Sequence, residues 1–280
     1  MQILPRRVAP LKIVGRGLVW LLVAVTLLLL AWVFLTALRD TRDIFRHPFG
    51  LPSSPRWHNF AKAWNEGGFS KAALSSVYVA TVASVLAIVL AAPCAYALSR
   101  RRNRTSSALT MVFAMGLGVP GQALVVPLFV GLSKVQLTNS YTGLILVYTG
   151  LALPFTVFLL TGFFAGVPRV LEEAAAIDGA SGARTFVQVV LPVVRGGLIT
   201  AFLLQFIANW NETLFAVVLM QGEKGTLPVA LISFVQSQQF SGMDWGALFA
   251  GMTIILAPMV ALFSWLGTRI IQGMTVGIGK

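Results

Sequence analysis

As a pattern of polar and apolar positions, the chain is a series of charge-free runs, each of about the 20 residues a helix needs to cross a bilayer core. The first, 17–38, contains Leu27, Leu28, Leu29 and Leu30 in succession and stops at Arg39. The next two, 72–99 and 105–133, are separated by the basic turn Arg100, Arg101, Arg102, Asn103, Arg104. The fourth, 141–165, carries Pro154, which a membrane helix tolerates because its neighbours satisfy the freed carbonyl. The fifth, 193–220, is interrupted by Arg195 near its start and by Glu212, and the sixth is 245–271, with Arg269 near its end. One more charge-free stretch, 225–243, holds Gln236, Gln238, Gln239 and three serines, and reads as a loop with at most a short helix. The pattern predicts an all-α membrane protein with six transmembrane helices.

Composition strengthens that reading. Of 280 residues, 57% are hydrophobic and 11% charged, with mean hydropathy +0.82, whereas soluble domains carry about a quarter charged residues. The net charge of +12 would suggest a nucleic-acid partner on a soluble basic surface, and the same composition excludes such a surface. The basic residues instead report topology, because Lys and Arg collect in short cytoplasmic loops. With the N-terminus inside, thirteen fall on inner segments and eight outside, so six spans leave both N and C termini cytoplasmic. The first outer loop runs against this rule: Arg39, Arg42, Arg46, Arg56, Lys62 and Lys71 are offset only in part by Asp40, Asp43 and Glu66. The basic start and first apolar run exceed the 7 to 15 residues of a signal-peptide core, and no small-x-small cleavage site follows before Arg39, so a retained helix is expected. Cys94 has no disulfide partner and reads as core packing, and His47 and His58 lack companions at ligand spacing, so no metal is expected.

The polar segment between the fourth and fifth runs, 167–192, contains Pro168, which suits a helix start, Glu172 and Glu173 where a first turn favours acids, and Gly179 as a C-cap. This predicts a helix of about ten residues, too short to span, with small apolar residues on one face and Glu173 and Asp178 on the other. By pattern alone it is equally an amphipathic linker lying at the membrane interface.

Glu173-Ala174-Ala175, three residues, Gly179, nine residues, then Val189-x-Leu191-Pro192 resembles the EAA loop of binding-protein-dependent ABC importer permeases, with Val189 where the family usually has isoleucine. The resemblance implies a type I ABC importer permease fold in which this loop is a coupling helix docked on a cytoplasmic ATPase. On that basis Glu172, Glu173, Ala174, Ala175, Asp178, Gly179 and Ala180 would form the contact, with Glu173 pairing a basic group, the alanines permitting close approach and Gly179 turning the chain. A Gly-x-x-x-x-Gly-Lys-Ser/Thr loop is absent, so ATP and magnesium are expected in the partner ATPase and no cofactor in this chain.

Further stretches are similar to the carbohydrate branch, in particular the smaller permease of maltose-type systems. They are Trp57-His58-Asn59-Phe60 with Ala63-Trp64, Asn209-Trp210-Asn211-Glu212, Thr226-Leu227-Pro228, and a tail in which Gly273, Thr275 and Gly277 would reach the ATPase. The implied partners are a homologous permease in a heterodimer, two ATPase subunits, an extracytoplasmic solute-binding protein and membrane lipid, with no nucleic acid. The division is then 1–71, with the N-terminus, first helix and first outer loop, and 72–280, a five-helix core with the coupling loop and tail. The 226–244 segment is expected to enter the binding protein.

Glu212 is the one acid inside a predicted span, about 12 Å below the outer helix end at ~1.5 Å per residue. An intramembrane carboxylate is a functional candidate by default, here lining a translocation path with Asn209 and Asn211. The plainer reading is a structural carboxylate bonded to a neighbouring helix. An ion-coupled carrier would need more intramembrane ionisable groups than this and leaves the 167–192 loop unexplained. A membrane enzyme would need a catalytic constellation that the spans lack, and a permease for peptides or amino acids would share the loop but not the branch features.

Overall fold

The computed structural model describes the backbone of residues 8–101, 103–221, 224–239 and 242–276, and side chains of those between 14 and 264. Among the described residues every regular element is helical: α1 (Val8–Ala37), α2 (Thr41–Arg46), α3 (His58–Glu66), α4 (Phe69–Arg100), α5 (Arg104–Leu117), α6 (Gly121–Lys134), α7 (Tyr141–Ala165), α8 (Val170–Ile177) and α9 (Gly182–Thr185). A π-helical turn (Phe186–Val190) follows, then α10 (Leu191–Val193), α11 (Arg195–Asn211), α12 (Leu214–Leu219), α13 (Leu227–Ser237) and α14 (Trp245–Val276). Four helical stretches are long and apolar enough to cross a membrane, Val14–Ala37, Phe69–Arg100, Tyr141–Ala165 and Trp245–Ser264, and six candidates result if each of two bent pairs is one span.

The bent pairs correct two of the expected helices. Run 105–133 is α5 and α6, meeting at 99°. Pro120 disfavours helical backbone at the residue before it and caps α6 with an extended conformation (φ −68°, ψ 124°), so the helix stops at Gly118 and restarts at Gly121. Run 193–220 is not one helix either. It bends by 75° between the 182–193 stretch and α11, at Val194 (φ −91°, ψ 12°). The ladder is already loosened there by the π turn and by Pro192, which has no N–H to donate. The same run ends again at Glu212, whose extended backbone (φ −70°, ψ 124°) separates α11 from α12. The 225–243 stretch folds mainly as the eleven-residue α13.

The chain falls into two compact units, residues 1–69 with 231–256, and residues 70–230 with 257–280. In the first, Arg39 is buried at 2% exposure at the end of α1, its Nε donating to Asp43 Oδ2 (2.6 Å) and its Nη2 to the carbonyls of Asp43 and His47 (both 2.8 Å). Asn59 of α3 donates to the carbonyls of Ala37 (2.8 Å) and Arg39 (2.9 Å), closing the end of α1 onto α3. Edge-to-face pairs Trp32–Phe249 (5.5 Å) and Phe45–Trp245 (5.6 Å) bring the start of α14 into the same cluster.

In the second unit α7 packs on α5 and α11. Gly116 of α5 has Pro154 of α7 so close that a Cβ there would lie 2.9 Å from the proline ring, so the glycine is what admits the proline bulge. Polar side chains along one face of α11 are paired across helices: Gln205 Nε2 donates to Thr156 Oγ1 (3.1 Å) and Asn209 Nδ2 to Ser84 Oγ (3.1 Å). Such pairs satisfy polar groups that a hydrocarbon surrounding cannot.

Candidate functional site

The 167–192 segment grows directly from the end of α7. The carbonyls of Pro168 and Arg169 accept from Leu171 N–H (3.3 Å) and Glu172 N–H (2.9 Å), so the first turn of α8 opens at the proline. The helix runs for eight residues rather than about ten, with Arg169 and Asp178 as its half-in caps. Gly179 takes a left-handed conformation (φ +77°). Ala180 N–H then reaches Ala175 O (2.9 Å) and Gly179 N–H reaches Ala176 O (3.1 Å), the paired bonds of a Schellman ending. Only a residue free of Cβ strain takes this backbone cheaply, which is why glycine stands there.

The two glutamates part company. Glu173, Ala174 and Asp178 are exposed, as are the apolar Val170 (68%) and Ile177 (87%), so an eight-residue helix presents both a carboxylate and an apolar stripe outward. Ala175 is buried and Ala180 half-buried. Glu172 faces inward: its Oε1 accepts from Arg100 Nε and Nη2 (both 2.6 Å) and its Oε2 from Tyr96 Oη (3.0 Å). Arg100 Nη2 also donates to Val167 O (3.0 Å), and Arg169 Nη2 to Arg100 O (3.2 Å). Arg100 and Tyr96 carried no signal in the sequence, since Arg100 lies in a basic run that reads as topology and lipid contact, 72 residues from its partner.

The three polar positions of the fifth run are also distinct. Asn209 is buried and committed to Ser84, whereas Asn211 is exposed and donates to the Ile207 carbonyl (2.8 Å). Glu212 is half-buried and accepts from Phe215 N–H (3.0 Å), Ala216 N–H (3.2 Å) and the Tyr148 hydroxyl (2.7 Å). It therefore caps α12 and ties it to α7, the plainer of the two sequence expectations. Gly277 of the tail lies outside the described residues, and Gly273 and Thr275 fall on the last turns of α14, where only backbone is described.

The first unit carries a polar cavity of about 310 Å3, walled in part by Asp40, Arg56, His58, Asn59 and Asp244. Its edges hold two ion pairs, Arg56–Asp40 (3.3 Å) and Lys62–Asp244 (2.7 Å). Burial works to raise the Asp244 carboxyl, but the Lys62 ammonium and the N–H groups of Ala247 and Gly246 outweigh it and hold the group below the usual carboxylate value. The hydrogen bond to Asp244 in turn holds the Lys62 ammonium above its usual value, against partial burial. Among the described residues no three His, Cys, Asp or Glu side chains gather as metal ligands would.

Residues 83–276 match the family model described as "Binding-protein-dependent transport system inner membrane component". The diacetylchitobiose uptake system permease protein NgcG of Streptomyces coelicolor is 36% identical over 247 residues, 88% of this chain and 82% of that one. The trehalose transport system permease protein SugB of Mycobacterium tuberculosis is 33% identical over 261 residues, 93% and 94% of the two chains. Among solved structures, a bacterial ABC transporter involved in import of the acidic polysaccharide alginate has a chain of the same fold. It superposes with a TM-score of 0.79 at 19% identity, covering 96% of this chain and 99% of that one.

Proposed function

The chain belongs to the binding-protein-dependent transport system inner membrane component family, and from that premise we propose how its parts serve an ATP-driven sugar importer. It is a multi-pass plasma-membrane permease subunit, not an enzyme, and ATP hydrolysis belongs to another subunit. An ATPase and a solute-binding protein are its partners by family. The finer assembly we infer is a heterodimer with a homologous permease, carried on two ATPase subunits that hold the ATP and magnesium. The most apolar stretch within Val14–Ala37 has none of its residues buried within the chain, which leaves apolar surface for lipid or for that second permease.

In this reading both termini and α8 face the cytoplasm. Glu173, Ala174, Ala175, Asp178, Gly179 and Ala180 belong to the coupling contact, together with Val170 and Ile177, which pattern alone did not single out. Glu172 serves the same site from its inner side. The observation that carries the reading is the geometry of α8, a short helix locked at its end by Gly179 and presenting Glu173 and Ile177 outward. A rigid lever of this kind moves as a unit when its partner closes. ATP-driven closure would draw the two coupling helices together and open the translocation path outward, and hydrolysis would reset it. Asn211, the exposed member of its group, is the position we assign to the translocation path, with Asn209 and Glu212 shaping the break beside it. The tail positions Gly273, Thr275 and Gly277 would contact the ATPase, and 226–244 the binding protein. The relatives act on diacetylchitobiose and trehalose by name, and a small glycoside is the substrate class that fits.

Glu173→Lys tests the coupling contact. In the complex reconstituted with its ATPase and binding protein, the variant is expected to insert normally while stimulation of ATP hydrolysis by the binding protein falls at least about tenfold, the effect of losing ~1.4 kcal/mol of coupling. Wild-type stimulation with wild-type uptake would remove Glu173 from the contact.

A further inference from the structure

We propose that Arg100 and Tyr96 are positioning residues that make α4 a direct output of the coupling helix, so that α8 and the end of α4 move as one body through the transport cycle. The inference rests on the coupling role given to α8 above. Covalently, α8 is continuous only with α7 before it and with α9 and the π turn after it, and a stroke delivered to α8 would reach α4 only at second hand.

The carboxylate of Glu172 removes that delay. Both of its oxygens are taken by α4: Oε1 by the Arg100 guanidinium through Nε and Nη2, Oε2 by the Tyr96 hydroxyl. Tyr96 and Arg100 are four residues apart and so stand on one face of α4, with the guanidinium carbon 5.7 Å from the tyrosine ring centroid. The pair is largely shielded, the side chains being 14% and 20% exposed, so solvent and salt weaken it less than an open surface bridge. The joint is braced from two further elements. Arg100 holds the Val167 carbonyl at the foot of α7, and the Tyr96 ring packs on Phe164 of α7 (5.7 Å) and Phe186 of the π turn (5.0 Å). The adjacent glutamates thus divide the work, Glu173 outward to the partner and Glu172 inward to α4.

The test uses the whole complex in nanodiscs, with Cys94→Ser in this chain and spin labels at Leu171→Cys on α8 and Leu90→Cys on α4, both exposed positions outside the coupling contact. Their separation is measured without nucleotide and with ATP and vanadate. In the otherwise native chain the two states should agree within about 2 Å, the scale of small interface shifts. With Arg100→Glu the states should diverge, and the charge exchange Arg100→Glu with Glu172→Arg should restore agreement. Tyr96→Phe, which deletes one hydrogen bond without altering charge, should give an intermediate result and covers the case in which the charge variants fail to assemble. A separation that changes between states in the native chain, or Arg100→Glu indistinguishable from it, would overturn the proposal. Failure of the coupling role itself is separately visible, because Glu173→Lys would then leave stimulation of hydrolysis intact.

Discussion

Asp244 concentrates several functions of the first unit in one carboxylate. Its Oδ1 accepts from Ala247 N–H (3.1 Å) and so caps α14, its Oδ2 pairs with Lys62 of α3, and its own N–H donates to Gln238 (2.7 Å) after α13. The cap and the ion pair separate by substitution. Asp244→Asn keeps a good N-cap and loses the charge, at a cost of about 0.5 kcal/mol for a pair this exposed. Asp244→Ala loses the cap too, adding about 1 kcal/mol. Hydrogen exchange at Ala247 should show both steps. The pH dependence follows from the shifts. The Asp244 carboxyl is lowered from 3.8, so its contribution is present above that value and is lost as pH falls through the folded one. The Lys62 ammonium is raised from 10.5, so its contribution is present below that value and is lost as pH rises through the folded one. Exchange at Ala247 relative to Asp244→Asn should therefore be constant from pH 5 to 9, within a window about bounded by the two reference values. A slope inside that window would mean that another group governs the cap.

At the scale of elements, what hydropathy shows and what it hides have one physical cause. A backbone in hydrocarbon must bond to itself, so spanning runs must be apolar and charge-free, and their lengths are legible. Where a run bends is decided by a few dihedrals that a count of apolar residues does not weigh. The Val119-Pro120-Gly121 triplet was a readable stop inside 105–133, submerged by the length of the run around it. The stop at Glu212 was hidden differently, because its justification is a partner, Tyr148, in another helix. There the carboxylate accepts two amides of the first turn of α12, a role that a membrane segment cannot delegate to water. Glu212→Gln retains one carbonyl acceptor and should leave α12 folded with faster exchange. Glu212→Ala removes all three bonds and should cost about 1–3 kcal/mol, unravelling 214–219 on the exchange timescale. Protection at Phe215 and Ala216 unchanged in the alanine variant would show that the cap is not what holds α12.

For the whole molecule, the charge pattern that suggested an orientation also contained an objection to it, the six basic residues of the first loop. The structure gives three of them other work: Arg39 is buried against Asp43, Arg56 pairs with Asp40, and Lys62 pairs with Asp244. Asp244 lies more than 180 residues from Lys62, which is why the local count of acids missed it. These cations are committed to acids of the first unit, so their presence there says little about sidedness, and the objection to the expected inside N-terminus weakens. Sidedness is decisive for function as well as topology, because α8 can meet an ATPase only in the compartment that holds ATP. In a Cys94→Ser background, Leu51→Cys in the first loop (76% exposed) and Ile177→Cys on α8 (87% exposed) give one reporter for each side. A membrane-impermeant maleimide should label Leu51→Cys in right-side-out vesicles and Ile177→Cys only in inside-out ones. The reverse pattern would turn α8 away from the nucleotide and would sink the coupling role and the α4 linkage together, whereas labelling of both from one face would mean that an even number of segments crosses between them.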